Sequence, residues 1–295
     1  MTEVRIEGRR LRLSNLDKVL YPEARFTKAQ VVDYYARIGP VMLGHLAGRA
    51  VTLVRWPDGV DGPSFFEKRC PPHRPEWVRT ARVDEDLTQC VLDDLPSLVW
   101  VANLAALELH TLQARAADPD RPTSMVFDLD PGAPADLVDC CRVGLELRGV
   151  LEELGLESVV KTSGSKGLHL AVPLNTPVNA GETKAFARAL GGLLAQRDPR
   201  RVTVLMKKEQ RGGRVFVDWS QNDRHKTTVC AYSLRARARP TVSMPLTWDE
   251  VSDAVDAGDA EVLAFDAAAA LSRVEHLGDL YAANLEREQE LPELG

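Results

Sequence analysis

The hydrophobic pattern of this chain changes period several times along its length. The first segment starts strand-like and breaks at a Tyr21-Pro22 turn. Thr27-Lys28-Ala29-Gln30 has the capping-box spacing, Thr followed three residues later by Gln, which predicts a helix through about Ile38. Val51–Trp56 predicts a strand, 57–76 a loop rich in Pro and Gly, and Leu95–Ala116 one long helix. Further strands are predicted at Ser124–Asp130, Glu157–Thr162, Leu168–Pro173, 202–206, 214–219 and 227–232, with helices at 135–154 and Gly181–Arg197. Residues 249–295 read as an acidic helical segment. Helices and strands mix without strict alternation. That predicts an α+β sheet domain with helical flanks, not a doubly wound parallel sheet.

Composition adds bounds to this picture. A hydrophobic fraction of 44% over 295 residues is ordinary for a soluble globular protein of one large domain or two small ones. No run approaches the ~18 apolar residues of a membrane span. The opening MTEVRIEGRR has no apolar core of a secretory signal. A cytoplasmic protein with no membrane partner is the default. The five cysteines, Cys70, Cys90, Cys140, Cys141 and Cys230, are odd in number and form no Cys-x-x-Cys pair. Neither a disulfide framework nor a cysteine zinc site is expected, and Cys70 with His73 falls short of the four ligands of structural zinc. The net charge of −6 is unevenly spread: from Asp249 onward 13 acidic and 2 basic residues give −11, leaving +5 on the first 248. A basic surface facing a phosphate backbone is compatible with that balance. Charge alone favours a solvated charged face.

Met125-Val-Phe-Asp-Leu-Asp130 carries the strongest chemical signal. Alternation along a strand puts Val126, Asp128 and Asp130 on one face and Met125, Phe127 and Leu129 on the other. Two carboxylates one pleat apart on an apolar strand are costly unless positive charge sits beside them. Divalent magnesium or manganese would supply it, and two such ions suit phosphoryl transfer. Two solvated aspartates at a strand end, before the Pro131-Gly132 turn, are the alternative. Asp218 is a lone acid in a second strand, Arg214-Val-Phe-Val-Asp-Trp-Ser220. If the two strands pair, three carboxylates converge; otherwise Asp218 is an edge aspartate. Lys161-Thr-Ser-Gly-Ser-Lys-Gly-Leu-His169 is a glycine turn with hydroxyl and ammonium donors, but without P-loop spacing. It suits a triphosphate, or simply joins two strands.

In order, the elements are Asp128/Asp130, then Ser163/Ser165/His169, then Asp218. This order resembles the archaeo-eukaryotic primase superfamily, and more closely the polymerase domain of bacterial DNA ligase D, the non-homologous end-joining enzyme. The resemblance runs along nearly the whole chain. It includes Asn15-Leu-Asp-Lys-Val-Leu-Tyr-Pro22, Pro63-Ser-Phe-Phe-Glu-Lys68, Trp100-Val-Ala-Asn-Leu with His110, Lys226-Thr, Ala231-Tyr-Ser-Leu-Arg-Ala-Arg237 and Thr247-Trp-Asp-Glu250. The resemblance implies a primase-like fold with a central mixed β-sheet flanked by helices. It also implies one domain over 1–295: strand and helix parts with DNA-end contacts in 1–120, the catalytic sheet in 121–248, and the acidic helical segment in 249–295.

The implied roles follow residue by residue. Asp128 and Asp130 hold two Mn²⁺ or Mg²⁺ ions, and Asp218 completes the shell of the catalytic one. Ser163, Ser165, Lys166 and His169 bind the incoming nucleoside triphosphate, helped by Arg211, Lys226, Arg235 and Arg237. His110 contacts the nucleotide sugar or its phosphates. Phe65 and Phe66 stack on a template base. Lys18 and Lys28 hold a 5′-phosphate across a gap, on a helix N-terminus that favours such charge. Taken singly, each has an ordinary reading: Phe65-Phe66 as core, His110 on a buried helix face, Lys18 as solvated charge. The implied substrate is primer–template or gapped DNA at the bacterial nucleoid, with a preference for ribonucleotides and manganese. No ligase Lys-x-Asp-Gly occurs in the 295 residues. A stand-alone relative or an excised domain is therefore expected, and partnership with Ku and a separate ligase is left open. The rivals are a primase that starts strands de novo and a catalytically silent DNA-end binding module.

Overall fold

Thr27 caps the first long helix as its spacing predicts: its hydroxyl accepts the Gln30 backbone N–H, and the Gln30 side chain accepts the Thr27 N–H. The structure, a computed structural model, describes residues 1–293. The chain opens with β1 (Thr2–Ile6), β2 (Arg9–Leu13), β3 (Val19–Tyr21), β4 (Phe26–Thr27) and the capped helix α1 (Lys28–Leu46). Then come β5 (Ala50–Arg55), β6 (Phe65–Glu67), β7 (Arg79–Asp84), β8 (Leu87–Val91), α2 (Leu95–Asn103), β9 (Ala106–Leu112) and β10 (Ser124–Pro131). Next are α3 (Leu137–Glu153), β11 (Val159–Thr162), β12 (Leu168–Pro173), α4 (Ala180–Arg197), β13 (Val202–Thr203), β14 (Val215–Asp218) and β15 (Thr227–Val229). Last are β16 (Pro245–Leu246), α5 (Trp248–Ala257), α6 (Ala267–Leu277) and α7 (Ala283–Glu286).

These elements form two compact units. The first comprises Met1–Ala117, Thr227–Ser243 and Phe265–Gly278; the second comprises Asp118–Lys226, Met244–Ala264 and the chain from Asp279. The first unit holds an antiparallel sheet of order β15-β9-β5-β8-β7, with β6 also paired to β5. Its core packs β5 and β9 leucines with the buried face of α1, where the Tyr35 hydroxyl donates to the Leu107 carbonyl at 2.7 Å. The second unit holds a sheet of order β13-β14-β10-β12-β11-β16, mixed because β13 and β14 run parallel while the other pairs are antiparallel. Helices α3 and α4 pack on this sheet and on each other. Met125, Phe127 and Leu129 are fully buried, and Gly144 of α3 comes close to Leu129, Leu168 and Leu170. The α+β class and the mixed sheet flanked by helices are therefore as expected.

Several expectations are corrected. The single helix over Leu95–Ala116 is instead α2 followed by β9. Ala105 takes a left-handed conformation (φ 58°), and beyond it Ala-Leu-Glu-Leu-His-Thr-Leu alternates as a strand held on both edges by β5 and β15. The loop over 57–76 contains β6. Helix α1 continues through Gly39-Pro40 to Leu46 because Met42 and Leu46 extend its buried face. The acidic segment after Asp249 is helical as expected, in α5, α6 and α7 divided between the two units, with 287–293 non-helical; residues 294–295 lie outside the described residues.

A disulfide joins Cys70 to Cys90, against expectation. The Cys70 N–H donates to the Thr88 carbonyl at 2.9 Å, which lays the segment after β6 along β8 and brings the two Cα atoms to 4.8 Å. An odd count left room for one bridge, and Cys140, Cys141 and Cys230 remain buried thiols.

Candidate active site

One cross-strand row of the second unit collects two of the three expected acids. In the antiparallel ladders Asp218 of β14 lies opposite Asp128 of β10, Asp128 opposite His169 of β12, and His169 opposite Lys161 of β11. Residues opposite one another in such ladders share a face of the sheet. The order Asp218–Asp128–His169–Lys161 is therefore a line of neighbouring side chains on one face. His169 Nε2 lies 3.1 Å from Asp128 Oδ1, and Lys161 Nζ lies 3.0 Å from His169 Nδ1. An ammonium can only donate, so in the Lys161 contact Nδ1 is the acceptor, and the ring then faces Asp128 with Nε2. Lys161 thereby helps orient the imidazole beside Asp128.

The two facing carboxylates repel, and like charges directly opposite in a ladder are destabilising. Neutral donors hold them in place. The Asp218 carboxylate accepts from the Ser220 N–H at 2.9 Å and the Ser220 hydroxyl at 2.6 Å. The Gln221 amide nitrogen spans the pair, 3.2 Å from Asp218 Oδ2 and 3.4 Å from Asp128 Oδ2. Asn222 fastens this turn to β10 through both polar groups of Val126. Asp130, one pleat beyond Asp128, is exposed and lies across from Phe216. The Arg211 guanidinium sits 3.6 Å above the Phe216 ring, and its Nη2 donates to the Met206 carbonyl at 2.6 Å.

The glycine turn enters the same row. The Ser163 hydroxyl accepts from the Gly167 and Ser165 N–H groups at 3.1 and 3.3 Å, folding 163–167 over the start of β12. A Cβ at Gly167 would collide with the Leu129 carbonyl, so only glycine lets the turn lie this close to β10. Lys166 points to solvent, as do Lys226 on the second unit and Arg237 on the first.

The remaining residues belong to the first unit. His110 Nε2 lies 2.9 Å from Glu108 Oε2, and Arg235 Nε lies 3.0 Å from Glu108 Oε1. Phe65 and Phe66 are 55% and 57% exposed, too open for core, and the Phe66 ring meets His110 edge-on at 6.2 Å. The Lys28 ammonium donates to the Ser14 carbonyl at 2.6 Å, while Lys18 pairs with Asp58. Burial first, then the charges of Lys18 and Arg55, lower the Lys28 ammonium to about 8.

The family model for the LigD primase-polymerase domain matches residues 27–281. The chain belongs to the LigD primase-polymerase family. It is 44% identical over 278 residues to the multifunctional non-homologous end joining protein LigD of Mycolicibacterium smegmatis, covering 92% of this chain and 36% of that protein. It is 31% identical over 251 residues to the bifunctional non-homologous end joining protein LigD of Bacillus subtilis, covering 83% and 40%. The chain thus spans little more than a third of the length of these curated relatives. Among solved structures, the polymerase domain of Mycobacterium tuberculosis ligase D in complex with DNA superposes with a TM-score of 0.87 at 41% identity, over 93% of this chain and 98% of that one.

As a LigD primase-polymerase domain the chain is a nucleotidyltransferase, a class of enzyme that works with divalent cations. Among the described residues no three or more His, Cys, Asp or Glu side chains form a closed metal cage. The donors present fit a different mode of binding. Hard cations such as magnesium are commonly held by one or two carboxylates, with water and substrate phosphates completing the shell. Asp128 and Asp218 provide such a pair, and Asp130 is one pleat away. Sequence reasoning missed Lys161, Gln221 and Glu108. The first two could have been found by setting the predicted strands side by side. Glu108 was hidden inside a predicted helix. Among the described residues no helix is long and apolar enough to cross a membrane.

Proposed function

We propose that this chain is a template-directed polymerase that fills short gaps at DNA ends during non-homologous end joining, using ribonucleotides by preference. The observation that carries the reading is the Asp218–Asp128–His169–Lys161 row, which supplies paired carboxylates with one of them held by a positioned imidazole. The whole chain acts as one primase-polymerase domain at the bacterial nucleoid.

Asp128, Asp130 and Asp218 would hold two divalent cations, Mn²⁺ or Mg²⁺, which would supply activation of the primer 3′-hydroxyl and neutralisation of charge on the triphosphate. The hydroxyl oxygen then bonds to the α-phosphorus and pyrophosphate leaves. His169 keeps the Asp128 carboxylate aimed, and with Ser163, Ser165 and Lys166 of the glycine turn it meets the triphosphate. Arg211 and Lys226 add positive charge on the same unit. His110 is assigned to the nucleotide sugar or phosphates, and Arg235 and Arg237 to the phosphates. Phe65 and Phe66 take an unpaired template base, a role their exposure supports. Lys18 and Lys28 take the 5′-phosphate of the downstream strand. Sealing the filled gap calls for a ligase, and Ku is the partner suited to hold the ends.

Primer extension with Mn²⁺ on overhang and gapped DNA, supplied with either ribo- or deoxyribonucleotides, tests the reading. Extension templated by the gap, faster with ribonucleotides, is the expected result. No extension on any primed substrate refutes it. Dinucleotide synthesis on unprimed template would favour a true primase.

A further inference from the structure

Glu108 occupies a position on the first unit that none of the roles above explains. Alternation on β9 puts Glu108 and His110 on one face, opposite the buried Leu107 and Leu109. Through β5 the same face carries Phe66, since Val54 lies opposite both Glu108 and Phe66. Glu108 is 6% exposed, yet both of its oxygens are engaged. Oε2 lies 2.9 Å from His110 Nε2. Oε1 lies 3.0 Å from Arg235 Nε and accepts the Ala236 N–H at 3.0 Å. The Arg235 backbone is held in turn, its carbonyl accepting the Tyr21 hydroxyl at 3.1 Å and its N–H donating to the Thr241 carbonyl at 2.8 Å. One buried carboxylate thus fixes an imidazole, a guanidinium and the main chain between them.

We propose that Glu108 is the positioning residue for nucleoside-triphosphate recognition by the first unit, clamping His110 and Arg235 in a shared orientation. This rests on the reading in which those two side chains meet the nucleotide. The clamp has a physical consequence for both. A lone arginine or histidine loses rotamer freedom on gripping a ligand. Here that loss is already met in the folded protein, by an anion that stays charged over the working range. Burial pushes the Glu108 carboxyl up, but the hydrogen bond from His110 and the charge of Arg235 outweigh it and hold the group at about 2. The groups that act on Glu108 from neighbouring elements are His110 on its own strand, Arg235, and the buried phenols Tyr21 and Tyr35.

Simple electrostatics and positioning predict opposite signs for one variant. Glu108→Gln removes a negative charge beside two groups that would meet a polyanion. If Glu108 is only a nearby charge, KM for the triphosphate falls. If it positions the pair, KM rises by about tenfold while kcat changes much less, as when an outer partner of a binding group is lost. The experiment is steady-state primer extension by the full chain with Mn²⁺, comparing wild type, Glu108→Gln, Glu108→Asp, His110→Ala and Arg235→Ala. Histidine NMR of Glu108→Gln accompanies it.

The expected result is a raised KM in Glu108→Gln, His110→Ala and Arg235→Ala, with partial recovery in Glu108→Asp. The His110 ring resonances should also move in Glu108→Gln relative to wild type, because the carboxylate 2.9 Å from Nε2 is gone. A KM that is unchanged or lowered in Glu108→Gln, while His110→Ala and Arg235→Ala raise it, overturns the clamp and leaves the nucleotide roles standing. Unchanged KM in His110→Ala and Arg235→Ala overturns those roles and the clamp together. Should Glu108→Gln not fold, Glu108→Asp decides: wild-type KM and an unshifted His110 resonance there refute the clamp.

Discussion

On β10 and β14 two carboxylates face each other across the ladder with neutral donors between them; on β9 one carboxylate faces an imidazole and a guanidinium. Both arrangements arise from the same strand alternation, which puts polar side chains on the face away from the core. They differ in charge balance. The β9 group is neutralised within the protein and hydrogen-bonded at every oxygen, as a buried ionic cluster must be to persist. The β10/β14 pair meets the His169 imidazole on one side and the neutral donors Gln221 and Ser220 on the other. A row that tolerates this repulsion in the folded chain is organised for a ligand. A row that satisfies itself is organised for rigidity.

The largest effect follows from that contrast. Asp128→Ala or Asp218→Ala should cut primer extension by on the order of 10³-fold while leaving DNA affinity nearly intact. Each variant relieves a facing like-charge pair but also loses hydrogen bonds, so the net change in stability should be small; thermal melting checks this. Near-wild-type extension by either variant would remove the row from the chemistry.

Glu108→Ala should do the reverse on its own unit, costing about 3–5 kcal/mol in chemical denaturation because two cationic groups lose their buried partner. The pH dependence has a defined sign. The folded Glu108 carboxyl sits near 2, below its ordinary 4.5. Its contribution is therefore complete above about pH 4.5 and lost as the pH falls toward 2. In Glu108→Gln that part of the acid sensitivity should be absent.

The disulfide sharpens the comparison further, since it lies in the first unit alone. Closing a loop of 20 residues is worth about 3 kcal/mol. Reductant, or Cys90→Ser, should lower the stability of wild type by about that amount, read by denaturation. A transition that does not move under reductant would mean the bridge adds nothing.

Much of the second unit could be read directly from its residues, and the reason is local. Met125–Asp130 alternates cleanly, Asp218 stands alone in an apolar strand, and the glycine turn separates two unambiguous strands. The register that joins them could not be read, because it depends on strands distant in sequence. Hence the row was anticipated in its acids but not in Lys161 or Gln221. In the first unit, Leu95–Ala116 is rich in Leu and Ala and fits a helical period nearly as well as a strand. The switch turns on the conformation of Ala105. With β9 misread, His110 could be placed by resemblance, but Glu108 had no face to share with it.

Two smaller effects separate the binding surfaces. Lys166→Ala should raise KM for the triphosphate about tenfold, roughly the loss of one charge-assisted contact, with kcat little changed. His169→Ala should lower kcat as well, because its imidazole also holds Asp128. Equal KM-only effects in the two variants would argue against the row. The smallest effect is the preference for a downstream 5′-phosphate, about fivefold for a partly screened contact. Lys28 is charged below its lowered value of about 8. The preference should be present below that pH and fade above it, in a titration at fixed ionic strength.

Manganese binding to the intact chain, followed by electron paramagnetic resonance without DNA or nucleotide and then with triphosphate added, tests the central claim most directly. Wild type should take up Mn²⁺, more tightly with triphosphate present. Asp128→Asn combined with Asp218→Asn should abolish the uptake, while Glu108→Gln leaves the uptake without triphosphate unchanged. Equal Mn²⁺ affinity in wild type and the double asparagine variant would contradict the account.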